Sequence, residues 1–170
     1  MARLSRPISV RRLRTEEAVH IEATAEERAE IAEALELVSL DSLTADITLR
    51  PWRTDGVRVE GEVHATLVQA CIVSLEPVPG TVDEEIDVRL HPDASEAGPV
   101  DVDPDAPDPP EPLDGDFVDV GAIVLEHFAL GIDPYPRAPG AEFDPGDAVD
   151  PVEEEPSPFA ALAALKNSPD

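Results

Sequence analysis

Carboxylates are the most numerous side chains in this sequence that could do chemistry. The 170 residues include 38 Asp and Glu against 12 Lys and Arg, with four His and one Cys, for a formal net charge of −26 at pH 7. Acid–base catalysis needs a carboxylate or imidazole whose surroundings shift its pKa. Most of these acids lie in stretches that water would solvate, so we predict no catalytic residue and a non-enzymatic protein.

The histidines and the cysteine show no metal-ligand spacing. The four histidines are far apart and form no HxH or HxxxH pair, and one cysteine excludes an internal disulfide and a multi-cysteine zinc site. Cys71 continues the apolar face of a predicted strand, a position typical of a buried cysteine. Phosphate-binding loops and dinucleotide fingerprints are absent from the sequence. The sequence therefore predicts no metal and no cofactor.

The net charge restricts the partners. An acidic chain repels phosphate backbones and anionic lipid, and it attracts basic partners. We therefore expect no DNA or membrane partner, although the charge could also serve solubility alone. The longest basic cluster is N-terminal, and its arginines are candidates to contact RNA or to pair with acids of the same chain: Arg3, Arg6, Arg11, Arg12 and Arg14.

Sequence features also favour a cytoplasmic protein. No apolar stretch approaches the roughly 20 residues that span a bilayer. The arginine-containing start has no apolar run behind it, unlike a secretory signal. A single cysteine fits a reducing compartment.

Two helices are predicted to lie on a sheet. Thr24 and Glu27 are spaced as a capping box, in which the threonine accepts the amide of the glutamate and the glutamate reaches back. The apolar residues behind them form one stripe of an amphipathic helix over residues 25–38. A second, mostly buried helix is predicted over residues 121–130, ending before Gly131.

Three segments alternate strictly between apolar and polar residues, as half-buried strands do. They are residues 43–49, 57–71 and 82–90. Asp55-Gly56 indicates the first turn between them, and residues 76–80 the second. Such short connections favour a meander. Residues 8–13 are predicted as an opening strand, and Gly61 as a bulge or bend.

These elements predict an α+β fold, with helices covering the apolar face of a bent or partly closed antiparallel sheet. Residues 1–148 are the predicted single domain, with an acidic flexible insert at residues 91–115, where Asp and Pro predominate. Residues 149–170 are predicted as an acidic linker and a short C-terminal helix. This helix either packs back on the sheet or binds a partner, through these candidate residues: Phe159, Leu162, Leu165 and Lys166.

Three segments of the chain resemble a known family in their order and spacing. The first, after the second strand, contains Cys71, Leu75 and Pro77. The second, in and behind the second helix, contains Asp119, Gly121, Glu126, Pro134 and Pro136. The third is the closing Pro-Phe-x-x-Leu-x-x-Leu-Lys pattern of residues 158–166. In these motifs the chain resembles the YceD-like family of large ribosomal RNA subunit accumulation proteins.

The resemblance implies a bacterial ribosome-biogenesis factor that supports accumulation of large-subunit (23S) ribosomal RNA without catalysis. Combined with the acidic charge, it favours a basic ribosomal protein or a large-subunit precursor as the partner. Direct contact of the N-terminal arginines with ribosomal RNA is the alternative. Ser74 stands where many members have a second cysteine, so a zinc site drawn from those members is not expected here.

Overall fold

A computed structural model describes residues 4–96 and 109–142 of the chain. Within these residues it is an α+β protein with two α-helices and seven strands. The elements are β1 (Pro7–Ser9), β2 (Glu17–Glu22), α1 (Ala25–Ala34), β3 (Ser39–Trp52), β4 (Gly56–Ala70), β5 (Pro77–His91), β6 (Glu111–Pro112), β7 (Phe117–Asp119) and α2 (Val120–Gly131). The predicted C-terminal helix, Arg3 and much of the acidic insert lie outside the described residues.

The main sheet has the order β2-β3-β4-β5-β6. Strands β2 to β5 pair with their sequence neighbours in antiparallel fashion, which is the predicted meander. β6 adds two residues in parallel beside Leu90 and His91. The predicted α+β class is confirmed, in the form of an open, mixed sheet. A smaller sheet pairs β1 with β7.

One face of the main sheet carries the core. The strictly alternating strands direct their aliphatic residues to this face, where Ile47, Val59, Val63 and Ile86 are buried together with residues of both helices. α1 packs on β3, and α2 packs on β4 and β5. Fully burying one such side chain stabilises the fold by about 1.5–3 kcal/mol. The predicted coverage of the apolar face by helices is confirmed.

The start of α2 holds the N-terminal segment. Asp119 caps the helix, and its Oδ1 accepts two backbone N–H groups of the first turn at 3.2 and 3.3 Å. The same carboxylate accepts the backbone N–H of Arg6 at 2.7 Å and the hydroxyl of Ser5 at 2.6 Å. A Cβ at Gly121 would lie 2.5 Å from the carbonyl oxygen of Leu4. Only glycine allows this approach.

α1 begins as predicted and ends earlier. The capping box is present, with Thr24 Oγ1 accepting the N–H of Glu27 at 3.2 Å and the Glu27 carboxylate accepting the N–H of Thr24 at 2.9 Å. The helix ends at Ala34, because the chain turns at Glu36 with a φ of 55°. The predicted end at Val38 was wrong, since no glycine or asparagine marks this left-handed position.

The second predicted turn was placed too late. β5 already begins at Pro77, and the chain reverses over residues 71–76, where Leu75 has a φ of 61°. The N–H of Leu75 donates to the carbonyl of Cys71 at 3.0 Å. Pro77 and Pro79 suggested a turn, but they are compatible with the exposed start of an edge strand.

Gly61 does not form the predicted bulge. It pairs in register with Ile47 on one side and Ile86 on the other, and the register shift of this strand pair lies between Leu40 and Ser42. A Cβ at Gly61 would collide with the backbone carbonyl of Asp46. The glycine therefore allows two backbones to approach closely.

The first strands differ in length from the prediction. β1 covers Pro7–Ser9 and gives way to a 3-10 turn at Val10–Arg12, so the predicted opening strand at residues 8–13 is only partly formed. β2, which follows at Glu17–Glu22, was not predicted. Its apolar pattern has only two members on the core face, Val19 and Ile21, and is too short to be distinctive.

Candidate functional site

The candidate site is the face of the main sheet that neither α1 nor α2 covers, here called the open face. The alternation that buries the aliphatic residues directs the polar residues of β2 to β5 to this face. Because the strands pair in register, these side chains form rows across the sheet. Two rows differ in charge and define the site.

The arginine row consists of Arg50, Arg58 and Arg89, which are direct neighbours on β3, β4 and β5. Like charges at directly opposite positions repel, so this row needs acids. Arg58 donates to both carboxylate oxygens of Asp87, at 2.8 and 2.9 Å, and Arg89 Nη2 lies 3.6 Å from the same carboxylate. The hydrogen bond from Arg58 holds the pKa of Asp87 below its ordinary value.

Two further carboxylates complete this pairing. Arg50 Nε donates to Glu16 Oε2 at 2.9 Å, and Glu60 lies 3.4 Å from Arg50 Nη1 and 3.2 Å from Arg58 Nη2. Every arginine of the row thus has a carboxylate within 4 Å. The arginine row balances its own charge.

The acidic row consists of Asp46, Glu62 and Glu85, which are direct neighbours on the same three strands. Among the described residues no arginine or lysine forms an ion pair with any of them. His20 Nδ1 lies 2.8 Å from Asp46 Oδ1, and His64 Nε2 lies 3.6 Å from Glu62 Oε2. In this described part of the chain, three carboxylates at opposed positions thus form a shallow acidic surface along the backbone of Gly61, without an arginine or lysine to balance their charge.

The histidines border the acidic row. His64 Nδ1 is hydrogen-bonded to Asp83 Oδ1 at 2.7 Å, and this bond is the main cause that raises the pKa of His64 above its ordinary value. Glu62 and Asp46 raise the pKa further through their charge. His64 lies on the polar face of its strand, as the alternation predicted. In the described part of the chain no group of three or more His, Cys, Asp or Glu is arranged to hold a metal ion.

Two of the predicted RNA-contacting arginines pair within the chain. Arg6 donates to both carboxylate oxygens of Glu27 at 2.8 and 3.0 Å, and this hydrogen bond is the main cause that lowers the pKa of Glu27 to about 2. Arg11 Nε lies 2.6 Å from Asp116 Oδ1. Arg14 is exposed and has no ion-pair partner among residues 4–96 and 109–142. Arg11 and Arg14 line one cavity of about 400 Å³, whereas Arg6 lies beside α1.

Four of the family-motif residues lie in two structural junctions. At the first, Cys71 follows β4 and is buried, and its Sγ accepts the N–H groups of Val73 and Ser74 at 3.4 Å and of Ala138 at 3.3 Å. The N–H of Ala138 is the largest of the influences that lower the pKa of Cys71 to about 6. The N–H of Ile72 donates to the Pro136 carbonyl at 2.9 Å. Cys71 and Pro136 thereby join the β4–β5 turn to the exit from α2.

The remaining motif positions have different surroundings. Asp119 and Gly121 form the second junction, at the start of α2. Leu75 and Glu126 are exposed, and Pro134 is exposed in the exit segment. The candidate partner residues Phe159, Leu162, Leu165 and Lys166 lie outside the described residues and remain predictions.

Sequence reasoning missed both rows of the open face. Each member was visible as a polar residue of an alternating strand. Their alignment depends on the register between strands, which the sequence does not show without knowledge of the turns. The predicted strands align these residues into rows only if the β4–β5 turn is placed correctly, because the turn sets the register of β5 against β4.

Comparison with protein families gives a match over residues 59–166, to the family described as Large ribosomal RNA subunit accumulation protein YceD. The match covers more than half of the chain and includes β5, α2 and nearly all of β4. Neither a curated protein nor a solved structure matches the sequence. Within the described residues no helix has the length and apolarity needed to cross a membrane.

Proposed function

The chain belongs to the YceD family of large ribosomal RNA subunit accumulation proteins, and we propose that it acts by holding a basic ribosomal protein on the open face of its sheet. Membership implies a role in the accumulation of large-subunit ribosomal RNA. In this proposal the protein is a non-enzymatic, cytoplasmic factor of bacterial ribosome biogenesis. It binds either a free ribosomal protein or a large-subunit precursor that exposes one.

The acidic row carries this proposal. Directly opposed carboxylates destabilise a sheet, whereas the neighbouring arginine row shows that this chain can place arginines beside acids on the same strands. A surface that keeps unfavourable charge without internal compensation is suited to a ligand of opposite charge. The net charge of −26 extends the same attraction beyond the contact surface.

Holding a basic protein supports the accumulation of ribosomal RNA indirectly. Ribosomal RNA attracts basic proteins wherever phosphates are exposed, because displaced counterions favour binding without regard to sequence. An acidic carrier competes with this unspecific attraction. It releases its cargo where the correct RNA site offers more contacts than the carrier.

Depletion of the protein in its parent bacterium tests the role. We expect a deficit of large ribosomal subunits on a sucrose gradient and a lower level of 23S RNA. Complementation then compares two double variants of equal net charge, Glu62→Gln/Glu85→Gln in the acidic row and Glu30→Gln/Glu33→Gln on the exposed side of α1. Only the acidic-row variant is expected to fail. Normal large subunits after depletion would contradict the role itself.

Capture of partners at low and high salt tests the mechanism. The wild-type protein is expected to retain a basic ribosomal protein at low salt and to release it at high salt, since exposed charges are screened. A mobility-shift titration addresses the alternative of direct RNA binding. Tight binding of ribosomal RNA fragments, lost when Arg3, Arg6, Arg11, Arg12 and Arg14 become alanine, would replace the protein-partner proposal.

A further inference from the structure

The outer edge of β5 has a strand partner within the described residues over only a small part of its length. Among the described residues β5 pairs with β4 over residues 77–90, but on its other side only Leu90 and His91 pair, with β6. The edge of residues 80–87 therefore has no neighbouring strand in the described part of the chain, and its side chains are exposed except for Val82 and Ile86, which point to the core. An open edge offers N–H and C=O groups to a further strand.

The charge of this edge selects a cationic strand. Residues 80–87 contain Asp83, Glu84, Glu85 and Asp87 and no basic residue. Residues 97–108 of the same chain carry four aspartates and three prolines without a basic residue. Like charges oppose the pairing of an acidic strand with this edge, and prolines lack the N–H donors that strand pairing needs. A segment rich in Lys or Arg has the complementary charge.

The spacing of the acids defines the pattern of the partner. Asp83, Glu85 and Asp87 occur at every second residue and share the open face. Residues of an added strand that stand opposite them have their Cβ atoms about 4.5–5.5 Å away. Lys or Arg at every second position of the added strand would thus stand opposite all three acids, of which Asp87 is already paired with Arg58. Glu85 is also a member of the acidic row, so an added strand at this edge would contact that row as well.

The opposite edge of the sheet offers less. β2 is only six residues long, and it carries Glu17 and Glu22 with His20 between them. It therefore presents two acids where the edge of β5 presents four. This makes β2 an internal control with the same kind of edge and less charge.

We propose that residues 80–87 of β5 bind an extended segment of a basic partner as an additional strand, with Lys or Arg at alternate positions facing Asp83, Glu85 and Asp87. This inference rests on the proposed function and deepens it, because it names the form and the charge pattern of the bound segment. Main-chain hydrogen bonds would hold the segment, and the alternating acids would select it.

Backbone-methylated peptides test the strand addition on the full-length protein. The probe is a ten-residue peptide of alternating Lys and Thr, compared with two peptides of the same sequence that are N-methylated either at every Lys or at every Thr. In an added strand one of these sets of N–H groups faces β5 and the other faces solvent. We expect one methylated peptide to bind like the unmodified probe. The other is expected to bind at least about tenfold more weakly.

Hydrogen exchange and charge variants locate the site. The unmodified probe is expected to slow amide exchange within residues 80–87 and to leave β2 unchanged. Asp83→Asn/Glu85→Gln is expected to weaken binding by about 3- to 30-fold at low salt. Glu17→Gln/Glu22→Gln removes the same charge from β2 and should preserve affinity within about twofold.

The outcomes separate this inference from the proposed function. Equal binding of all three peptides, or slower exchange on β2 in place of β5, would overturn strand addition while a captured basic ribosomal protein still supported the carrier role. Failure of every lysine peptide to bind, together with no captured ribosomal protein, would overturn both.

Discussion

The arginine row and the acidic row lie on the same three strands and differ in one respect, which is internal compensation. Arg50, Arg58 and Arg89 each have a carboxylate within 4 Å, supplied by Glu16, Glu60 and Asp87. In the described residues the acidic row has only His20 and His64 beside it. One row can be understood as part of the folded protein alone. The opposed charges of the acidic row are explained if the row binds a cationic partner.

On β4, residues 59–61 separate Arg58 of the arginine row from Glu62 of the acidic row. The Glu60 carboxylate contacts Arg50 and Arg58, whereas Glu62 belongs to the acidic row. Gly61 lies between them and faces the core. Both rows therefore depend on how closely β3 can approach β4 at this point. Substitutions along β4 separate structural roles from binding roles.

Gly61→Ala is expected to have the largest effect. Its Cβ would collide with the carbonyl of Asp46, so the β3–β4 pairing must shift, at a cost of about 1–3 kcal/mol or more in the free energy of unfolding. Gly80→Ala is the control, because a Cβ at Gly80 would have no atom within 4 Å. Urea unfolding measures both variants. Equal stability of the two would contradict the close approach at Gly61.

Glu60→Gln comes next and tests the compensation of the arginine row. Loss of this carboxylate removes the contacts at 3.4 Å to Arg50 and 3.2 Å to Arg58 and leaves three adjacent arginines with less acid. We expect a loss of about 1 kcal/mol in the free energy of unfolding. High salt should reduce this loss, because it screens the repulsion between the arginines. An increase in stability would show that the row is not balanced by its acids.

Most of the fold follows from patterns within single segments. The alternating strands, the capping box at Thr24 and the burial of Cys71 were predicted from neighbouring residues, whose side-chain directions the local backbone determines. Family membership was likewise visible in short motifs such as Asp119 and Gly121. The structure adds the reason for them: the aspartate caps α2 and binds the N-terminal segment, and the glycine admits Leu4.

Contacts between particular residues of distant segments were not predicted. The rows of the open face require the register of β3, β4 and β5, and the junction of Cys71 with Ala138 joins residues 67 positions apart. The ends of α1 and of the β4–β5 turn were missed because Glu36 and Leu75 occupy left-handed positions that usually favour glycine. A sequence pattern gives the face of a residue but not its neighbour across the sheet.

Glu62→Gln is expected to have the opposite sign from Glu60→Gln. It removes the central charge of three opposed carboxylates, so the free protein should become more stable by about 0.2–1 kcal/mol. The gain should shrink at high salt. At the same time the variant is expected to bind a basic partner more weakly. A destabilised Glu62→Gln protein would contradict the view that the acidic row is uncompensated in the free state.

The smallest expected effect is the titration of His64, which reports the field of the acidic row. Its pKa is raised chiefly by the hydrogen bond to Asp83 and less by the charge of Glu62. A raised pKa means that the folded state favours the protonated imidazole. This contribution to stability is complete below the unfolded pKa of about 6.5 and is lost as the pH rises through the raised value. NMR titration should show a large fall of the His64 pKa in Asp83→Asn and a smaller one in Glu62→Gln. If Glu62→Gln left this pKa unchanged, the negative field of the row would not reach an imidazole 3.6 Å away, and the attraction of a more distant cationic partner would lose its support.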